Sequence, residues 1–179
     1  MTQFKAYSPD VEVNGQTVLS IVDGMGSFTM SANMILSQNG IKDPKPGMWY
    51  LQQNWLNAFK EISEKLGPKT LLQIGKKIPE HADFPPQIDD IDKALAAIDV
   101  AYHMNHRNGE IGHYEYSKTG ANSAKIVCNN PYPCDFDRGI ILAMAQRFAP
   151  QDAHIRVEHD DGQTCRKNGS ESCTYLITW

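Results

Sequence analysis

The sequence predicts an α+β protein in which N-terminal helices pack on a small antiparallel sheet. Up to about residue 106 the apolar residues recur every three or four positions, as they do along one face of a helix. From residue 111 onward short runs alternate between apolar and polar residues, as they do in half-buried strands. The later elements follow the order β-β-α-β-β, which is typical of an α+β plan with an antiparallel sheet.

Length and composition predict a single domain. The 179 residues are long enough to bury a core, and 41% hydrophobic and 21% charged residues are ordinary values for a globular protein. We divide the domain into a mainly helical part, 1–108, and an α+β lobe, 109–179. A net charge of −4 does not favour a nucleic acid or an anionic membrane as partner. No apolar run reaches membrane-spanning length and the start lacks a secretory pattern, so we expect a cytoplasmic protein without a membrane span.

The first third predicts one helix between irregular segments. Residues 1–15 are expected to form an irregular arm, and 17–22 is too short to assign by periodicity. The segment 27–38 is predicted to be helical, with Asn39-Gly40 as its C-terminal cap. Residues 42–47 hold two prolines and a glycine and are expected to form a loop. The predicted apolar face of this helix consists of Phe28, Met30, Met34, Ile35 and Leu36.

Three further helices follow. The segment 48–66 has the clearest amphipathic pattern and is stopped by Gly67-Pro68. The segment 70–78 is expected to end at Pro79. After a loop over 81–88, Asp89 or Asp90 can cap a helix that runs to about residue 106. The inward faces are predicted to be Trp55, Phe59, Ile62 and Leu66 in the first of these helices and Ile91, Leu95, Ile98 and Tyr102 in the last.

The α+β lobe begins with a predicted hairpin. Strands over 111–116 and 123–128 are joined near Gly120. Asp135 is the expected N-cap of a helix that runs through residue 148 and is closed by Pro150. Strands over 153–158 and 174–179 complete the lobe.

All four cysteines lie in the last third of the chain. Cys134 lies at the start of a predicted helix, where unpaired N–H groups favour a thiolate. Cys165 and Cys173 flank a turn in which Gly169 allows a positive φ. Thiols persist in a reducing compartment, and clustered thiolates are the ligands that zinc prefers. The sequence therefore predicts a structural zinc site at Cys134, Cys165 and Cys173.

Residues alone leave the fourth ligand open among Glu158, His159 and Cys128. Two other interpretations of the cysteines also stay open. They can be buried, unreactive thiols that pack as small apolar side chains. They can also form a disulfide or act in redox chemistry, which the expected compartment disfavours.

Around Cys134, Cys165 and Cys173 the sequence resembles the 4-vinyl-reductase-like small-molecule-binding domains and the sensor domains of phenol-responsive transcriptional activators. The resemblance extends over 17–179 and is strongest in the segments 132–139 and 165–175. It implies a helical N-terminal part over a small antiparallel sheet, and a homodimer. It also implies that zinc is held by Cys134, Glu158, Cys165 and Cys173. Here the gap between Glu158 and Cys165 is longer than in the phenol sensors, and His159 can replace Glu158.

The same superfamily includes haem NO-binding sensors, and two histidines bear on that alternative. His103 and His106 are three residues apart on one predicted helix face, and either is a candidate haem ligand. The haem sensors carry a Tyr-x-Ser-x-Arg motif for the haem propionates. In this neighbourhood the chain has 114–118, Tyr-Glu-Tyr-Ser-Lys, without an arginine.

Six aromatic residues are candidates for the wall of a ligand pocket, although such residues also form plain core. They are Trp49, Tyr50, Trp55, Phe59, Tyr102 and Tyr114. No phosphate-binding glycine loop, nucleophile elbow or zinc-protease helix is present, so we do not expect an enzyme. We predict a sensor module for a small hydrophobic or aromatic ligand, which signals to a separate partner. The alternatives are an assembly or tethering module without a ligand, and a protein that binds haem or another tetrapyrrole.

Overall fold

The computed structural model describes residues 3–163 and 165–179 and has the predicted α+β class. The helices are α1 (Gly15–Val18), α2 (Ser20–Gly24), α3 (Thr29–Gln38), α4 (Gln52–Leu66), α5 (Pro68–His81), α6 (Ile91–Met104) and α7 (Cys134–Phe148). The strands are β1 (Glu12–Asn14), β2 (Trp49–Leu51), β3 (His106–Arg107), β4 (His113–Gly120), β5 (Ser123–Asn129), β6 (Arg156–His159) and β7 (Cys173–Thr178). Short 3-10 turns cover Gly26–Phe28 and Arg166–Asn168.

The larger sheet has four antiparallel strands in the order β4-β5-β7-β6. It contains the predicted hairpin, β4 and β5, and the predicted C-terminal strands, β7 and β6. Alternate residues such as Ile126, Tyr175 and Ile177 are buried on one face, against the helices. The predicted β-β-α-β-β order of this lobe is confirmed.

Two glycines allow helices α5 and α7 to cross in close contact. A Cβ atom at Gly75 would lie 2.1 Å from the carbonyl oxygen of Phe136. A Cβ atom at Gly139 would lie 2.3 Å from the carbonyl oxygen of Leu72. Because a side chain on either glycine would overlap backbone atoms, this crossing fixes the start of α7 against the helical layer.

A second, three-stranded sheet with the order β2-β1-β3 was not predicted. Residues 12–14, expected to be irregular, pair with Trp49–Leu51 and with His106–Arg107. The helix expected over 48–66 therefore begins at Gln52, and His106 belongs to a strand and not to α6. Strands of two or three residues are too short to show a period, so tertiary pairing decides them. Residues 1 and 2 of the expected arm lie outside the described residues.

Some predicted helix ends were correct and others were wrong. Asp90 caps α6 by accepting from the Lys93 N–H at 2.7 Å, as expected. Pro79 does not end α5, which continues to His81; the proline removes one intrahelical hydrogen bond without terminating the helix. Pro133 is the N-cap of α7, so Asp135 lies in its first turn and is not the cap.

The predicted apolar faces of α3 and α4 were also wrong in part. Phe28, Met30 and Met34 are exposed, and so is Leu66 at the end of α4. Helix α3 instead buries Ala32, Ile35 and Leu36 against the core. A helix with apolar residues on several sides does not reveal which side packs. Within the described ranges, no helix combines the length and apolarity needed to cross a bilayer.

Candidate functional site

Three of the four cysteines converge where α7 begins beside the large sheet. The sulfur of Cys134 lies 2.9 Å from that of Cys173 and 3.5 Å from that of Cys165, and the third pair is 3.6 Å apart. We call Cys134, Cys165 and Cys173 the thiol cluster. All three are free thiols. Three thiolates on a tetrahedral zinc ion lie about 3.8 Å from one another, so the cluster needs only a small expansion to hold one.

Local structure explains why these side chains meet. Cys134 is the first residue of α7, directly after Pro133, and Cys173 is the first residue of β7. Cys165 precedes a 3-10 turn that is closed by Gly169 in the left-handed conformation, with φ of 85°. This turn reverses the chain between Cys165 and Cys173, so both sulfurs face the start of α7.

Hydrogen bonds around the thiol cluster favour a thiolate. The backbone N–H and the Nε of Arg166 both donate to the sulfur of Cys173 at 3.4 Å. The Cys134 thiol and then Arg166 lower the pKa of Cys173, while the same thiol contact and burial raise the pKa of Cys134. The side-chain amide of Gln3 donates to the sulfur of Cys134 at 2.7 Å. The cluster is therefore suited to a cation.

The three candidate fourth ligands lie in different surroundings. Glu158 is exposed and pairs with Arg156 at 2.9 Å. Cys128 is fully buried on β5, opposite Cys173 in the strand register, but it is not among the sulfurs of the cluster. His159 lies in an open cleft that also contains Cys134 and Cys165.

A second candidate site is a small cavity between α6, α7 and the two sheets. Its volume is about 30 Å³, enough for the centres of one or two water molecules. Its wall is almost wholly apolar and aromatic. The lining residues are Thr17, Trp55, Ile78, Ala82, Phe84, Ile98, Ala101, Tyr102, Asn105, His106, Tyr114, Tyr132, Phe136 and Ile140.

His106 is the titratable base in the wall of this cavity. Its Nδ1 lies 2.7 Å from the carbonyl oxygen of Tyr102, which can only accept, so Nδ1 carries the proton. Its Nε2 therefore accepts from the Tyr132 hydroxyl at 2.6 Å, and Tyr132 in turn accepts from the Gln52 amide at 3.0 Å. Burial lowers the pKa of His106 to about 4, so the ring is neutral at pH 7.

One residue of the cavity wall carries a polar atom without a partner. Trp55 is 1% exposed and lines the cavity, yet its indole N–H has no hydrogen-bond partner among the described residues. A buried donor without a partner costs about 1–3 kcal/mol. An acceptor atom of a bound molecule would supply the hydrogen bond that this N–H lacks.

Only three of the six predicted pocket aromatics line the cavity. Trp55, Tyr102 and Tyr114 line the cavity, and Phe59 lies behind it with its ring centroid 4.8 Å from that of Trp55. Two others lie on β2, outside the cavity wall: Trp49, under the guanidinium of Arg107, and Tyr50. The two candidate haem ligands separate as well, since the side chain of His103 is exposed and that of His106 is buried.

Sequence reasoning missed most residues of the cavity wall, among them Tyr132, Phe136 and Asn105. Tyr132 belongs to the segment that carried the family resemblance, which was a usable signal. Phe136 belongs to the same segment, two residues beyond Cys134, but only the position of α7 reveals that it lines the cavity. Asn105 accepts hydrogen bonds through its Oδ1 from Thr17 at 3.1 Å and from the Asp83 N–H at 3.0 Å. No pattern in the sequence indicates these contacts.

Comparison with family models and with curated proteins finds no match for this sequence. Solved structures do match. An H-NOX protein from Shewanella oneidensis in the Fe(II)NO ligation state is 18% identical, covering 92% of this chain and 97% of that chain, with a TM-score of 0.69. An H-NOX protein mutant from K. algicida, Fe(II) unliganded, is 14% identical over 92% of this chain and 95% of that one, with a TM-score of 0.61.

At these identities the likeness establishes the fold and nothing finer. The chain has the fold of the H-NOX proteins over nearly its whole length. The resemblance to 4-vinyl-reductase-like domains stays a prediction.

Proposed function

We propose that this chain is a non-catalytic sensor module that binds a small hydrophobic or aromatic molecule in the cavity beside His106. The observation that supports it most is the unpaired indole N–H of Trp55, one of the residues that line this mostly apolar cavity. An apolar cavity with one or two convergent polar groups is the usual form of a small-molecule site. The ligand would carry one hydrogen-bond acceptor, and the cavity must widen to admit anything larger than two water molecules.

The loop before α6 gives the cavity a way to widen. Ala82 and Phe84 line the cavity, are only partly buried, and belong to the segment between α5 and α6. A loop moves at lower cost than a packed helix because fewer contacts hold it.

We also propose that the chain forms a homodimer and that ligand binding is signalled to a separate partner protein.

Thermal unfolding with a panel of small compounds tests the ligand proposal. Each compound is an aromatic molecule with one carbonyl or hydroxyl oxygen, and its matched partner lacks that oxygen. A ligand that binds only the folded state raises the unfolding midpoint. We expect the oxygen-bearing member of at least one pair to raise it more than its partner does. The same ligand should have no effect on Ala101→Leu, which fills the cavity. No shift across the panel would favour the assembly or tethering alternative.

We further propose that the thiol cluster holds a structural zinc ion. The sulfur distances of 2.9–3.6 Å and the donors around Cys173 support this. Zinc would supply a link between the start of α7, the start of β7 and the turn before it. Elemental analysis of protein prepared without chelator should give one zinc per chain in the wild type and in Cys128→Ser, and less in Cys134→Ser or Cys173→Ser. A metal-free wild type with four titratable thiols would contradict the proposal.

Haem is a second candidate, favoured by the likeness to H-NOX structures and by one feature of His106. Its protonated Nδ1 is fixed by a carbonyl, which is how metal-binding histidines are commonly oriented. The residues present do not fit a haem, however. Tyr132 occupies the Nε2 of His106, the nitrogen that would bind the iron, and no arginine or lysine for the haem propionates is among the described lining residues.

The haem alternative is tested by absorption. We expect freshly purified protein to be colourless and to show no defined absorption band when haemin is added. Any band from weakly associated haemin should be the same in His106→Gln. A one-to-one haem complex whose absorption changes in His106→Gln, but not in His103→Gln, would replace the small-ligand proposal with haem.

A further inference from the structure

The strand register separates Glu158 from His159. In the pairing of β6 with β7, His159 lies opposite Tyr175 and Glu158 lies opposite Leu176. Successive side chains of a strand project from opposite faces. Tyr175 is buried, and its hydroxyl donates to the Cys134 carbonyl at 2.6 Å, so its face is the one that adjoins the thiol cluster. Leu176 is exposed on the other face.

Glu158 therefore lies on the solvent side of the sheet. Its side chain is 58% exposed and its carboxylate accepts from Arg156, which is on the same face, at 2.9 Å. Reaching the cluster would require the strand to turn over, and the β6–β7 pairing prevents that.

His159 has the surroundings that are expected of a metal-binding histidine. Its Nε2 is buried and has no hydrogen-bond partner among the described residues. Its Nδ1 lies 3.6 Å from a carboxylate oxygen of Asp161, and its ring meets the edge of Tyr175 with centroids 5.5 Å apart. A histidine that binds a metal through one nitrogen commonly directs the other to a carboxylate.

The third candidate, Cys128, lies on the opposite side of Cys173 from the cleft. It is fully buried on a central strand and lies opposite Cys173 in the register. Its sulfur nevertheless does not lie within 4.8 Å of all three sulfurs of the thiol cluster. Its strand is paired on both sides, which fixes its backbone, and it is not among the residues that line the cleft of His159.

We infer that His159, through Nε2, is the fourth ligand of the metal held by the thiol cluster, so that the site is Cys3His. The inference rests on the proposed zinc site and names its remaining ligand. His159 lines the same cleft as Cys134 and Cys165, but its ring nitrogens do not lie within 4.8 Å of all three sulfurs of the thiol cluster. Ligation therefore requires the ring to turn toward the sulfurs, for which the open cleft leaves room. Asp161 is then a positioning residue for the ring.

Cobalt(II) and zinc binding to the full chain test this assignment. Cobalt bound by thiolates absorbs through sulfur-to-metal charge transfer, and its ligand-field bands report the number and type of ligands. We expect His159→Gln to weaken zinc binding at least about tenfold in a chelator competition and to shift the ligand-field bands. Glu158→Gln, one residue away on the same strand, should match the wild type in both measurements.

A rescue variant separates ligation from a structural effect. His159→Cys offers a sulfur in place of the imidazole, so we expect it to regain most of the lost affinity and to gain charge-transfer intensity. Unchanged binding in His159→Gln, or a loss confined to Glu158→Gln, would overturn the assignment of His159 while leaving the zinc site intact. If the wild type binds neither metal, the zinc proposal itself fails.

Discussion

The guanidinium of Arg166 and the carboxylate of Asp137 form an ion pair in which both side chains are completely buried. Arg166 also donates to the Asn130 side chain at 2.5 Å and to the sulfur of Cys173 at 3.4 Å. Asp137 accepts from the Tyr114 hydroxyl at 2.7 Å, and Tyr114 lines the cavity. The pair thus connects the thiol cluster to the cavity wall through hydrogen bonds.

Removing one member of this pair is predicted to destabilise the protein strongly. Asp137→Asn leaves a buried guanidinium without its counter-charge, and the expected loss of unfolding free energy is about 3–5 kcal/mol. Urea denaturation at pH 7 measures it. The control is Lys77→Gln, which breaks the surface pair between Lys77 and Glu80 and should cost less than about 1 kcal/mol. Equal losses in the two variants would show that the buried pair is not a major contributor.

Long amphipathic segments made most of the fold predictable. The helix containing Trp55, Phe59 and Ile62 and the strand containing Ile126 have enough residues to show a period, and both were predicted, although the helix begins at Gln52 and not at residue 48. The small sheet was missed because Glu12–Asn14 and Trp49–Leu51 are three residues each, and their pairing joins segments that are distant in the chain. Periodicity carries no information about such contacts.

The candidate site was predictable only in part. The spacing around Gly169 and the helix start at Cys134 indicated which cysteines could meet, because both features are local. The cavity depends on where α7 packs, and the close approach of Gly75 and Gly139 sets that position. No local pattern reports this crossing, so Phe136 and Asn105 could not be found.

Unfolding free energy should depend on pH through His106. Its pKa is lowered to about 4 in the folded state, against about 6.5 when unfolded. Below pH 6.5 the unfolded chain therefore binds a proton that the folded chain does not. The stability that this group contributes is complete above pH 6.5 and is lost as the pH falls toward 4, with a loss of about 2 kcal/mol between pH 7 and pH 5.

Comparison of two histidine variants isolates this effect. Burial raises the pKa of Asp137 to about 6, which contributes in the opposite direction, so the wild-type curve alone is not diagnostic. His106→Gln should lose less stability than the wild type between pH 7 and pH 5, by about 2 kcal/mol in urea denaturation. His103→Gln, whose side chain is exposed, should follow the wild type. Parallel curves for all three proteins would contradict a buried neutral His106.

The crossing of α5 and α7 should tolerate no side chain at Gly139. An added Cβ would lie 2.3 Å from the Leu72 carbonyl oxygen and 2.9 Å from the Gly75 Cα, both backbone atoms that cannot move alone. We expect Gly139→Ala to lower the unfolding free energy by about 1–3 kcal/mol or more, although alanine is the better helix former. Gln146→Ala, at an exposed position of the same helix, should change it by less than about 0.5 kcal/mol. A stabilised Gly139→Ala would mean that the two helices are farther apart.

The indole N–H of Trp55 should contribute to ligand binding and not to the core alone. For the panel compound that raises the unfolding midpoint most, Trp55→Phe removes a hydrogen bond worth about 1 kcal/mol, which weakens binding about fivefold. Titration calorimetry or the concentration dependence of the midpoint measures this change. Trp49→Phe removes an indole N–H outside the cavity wall and should leave the affinity unchanged. Equal affinities in both variants would show that the unpaired donor of Trp55 does not contact the ligand.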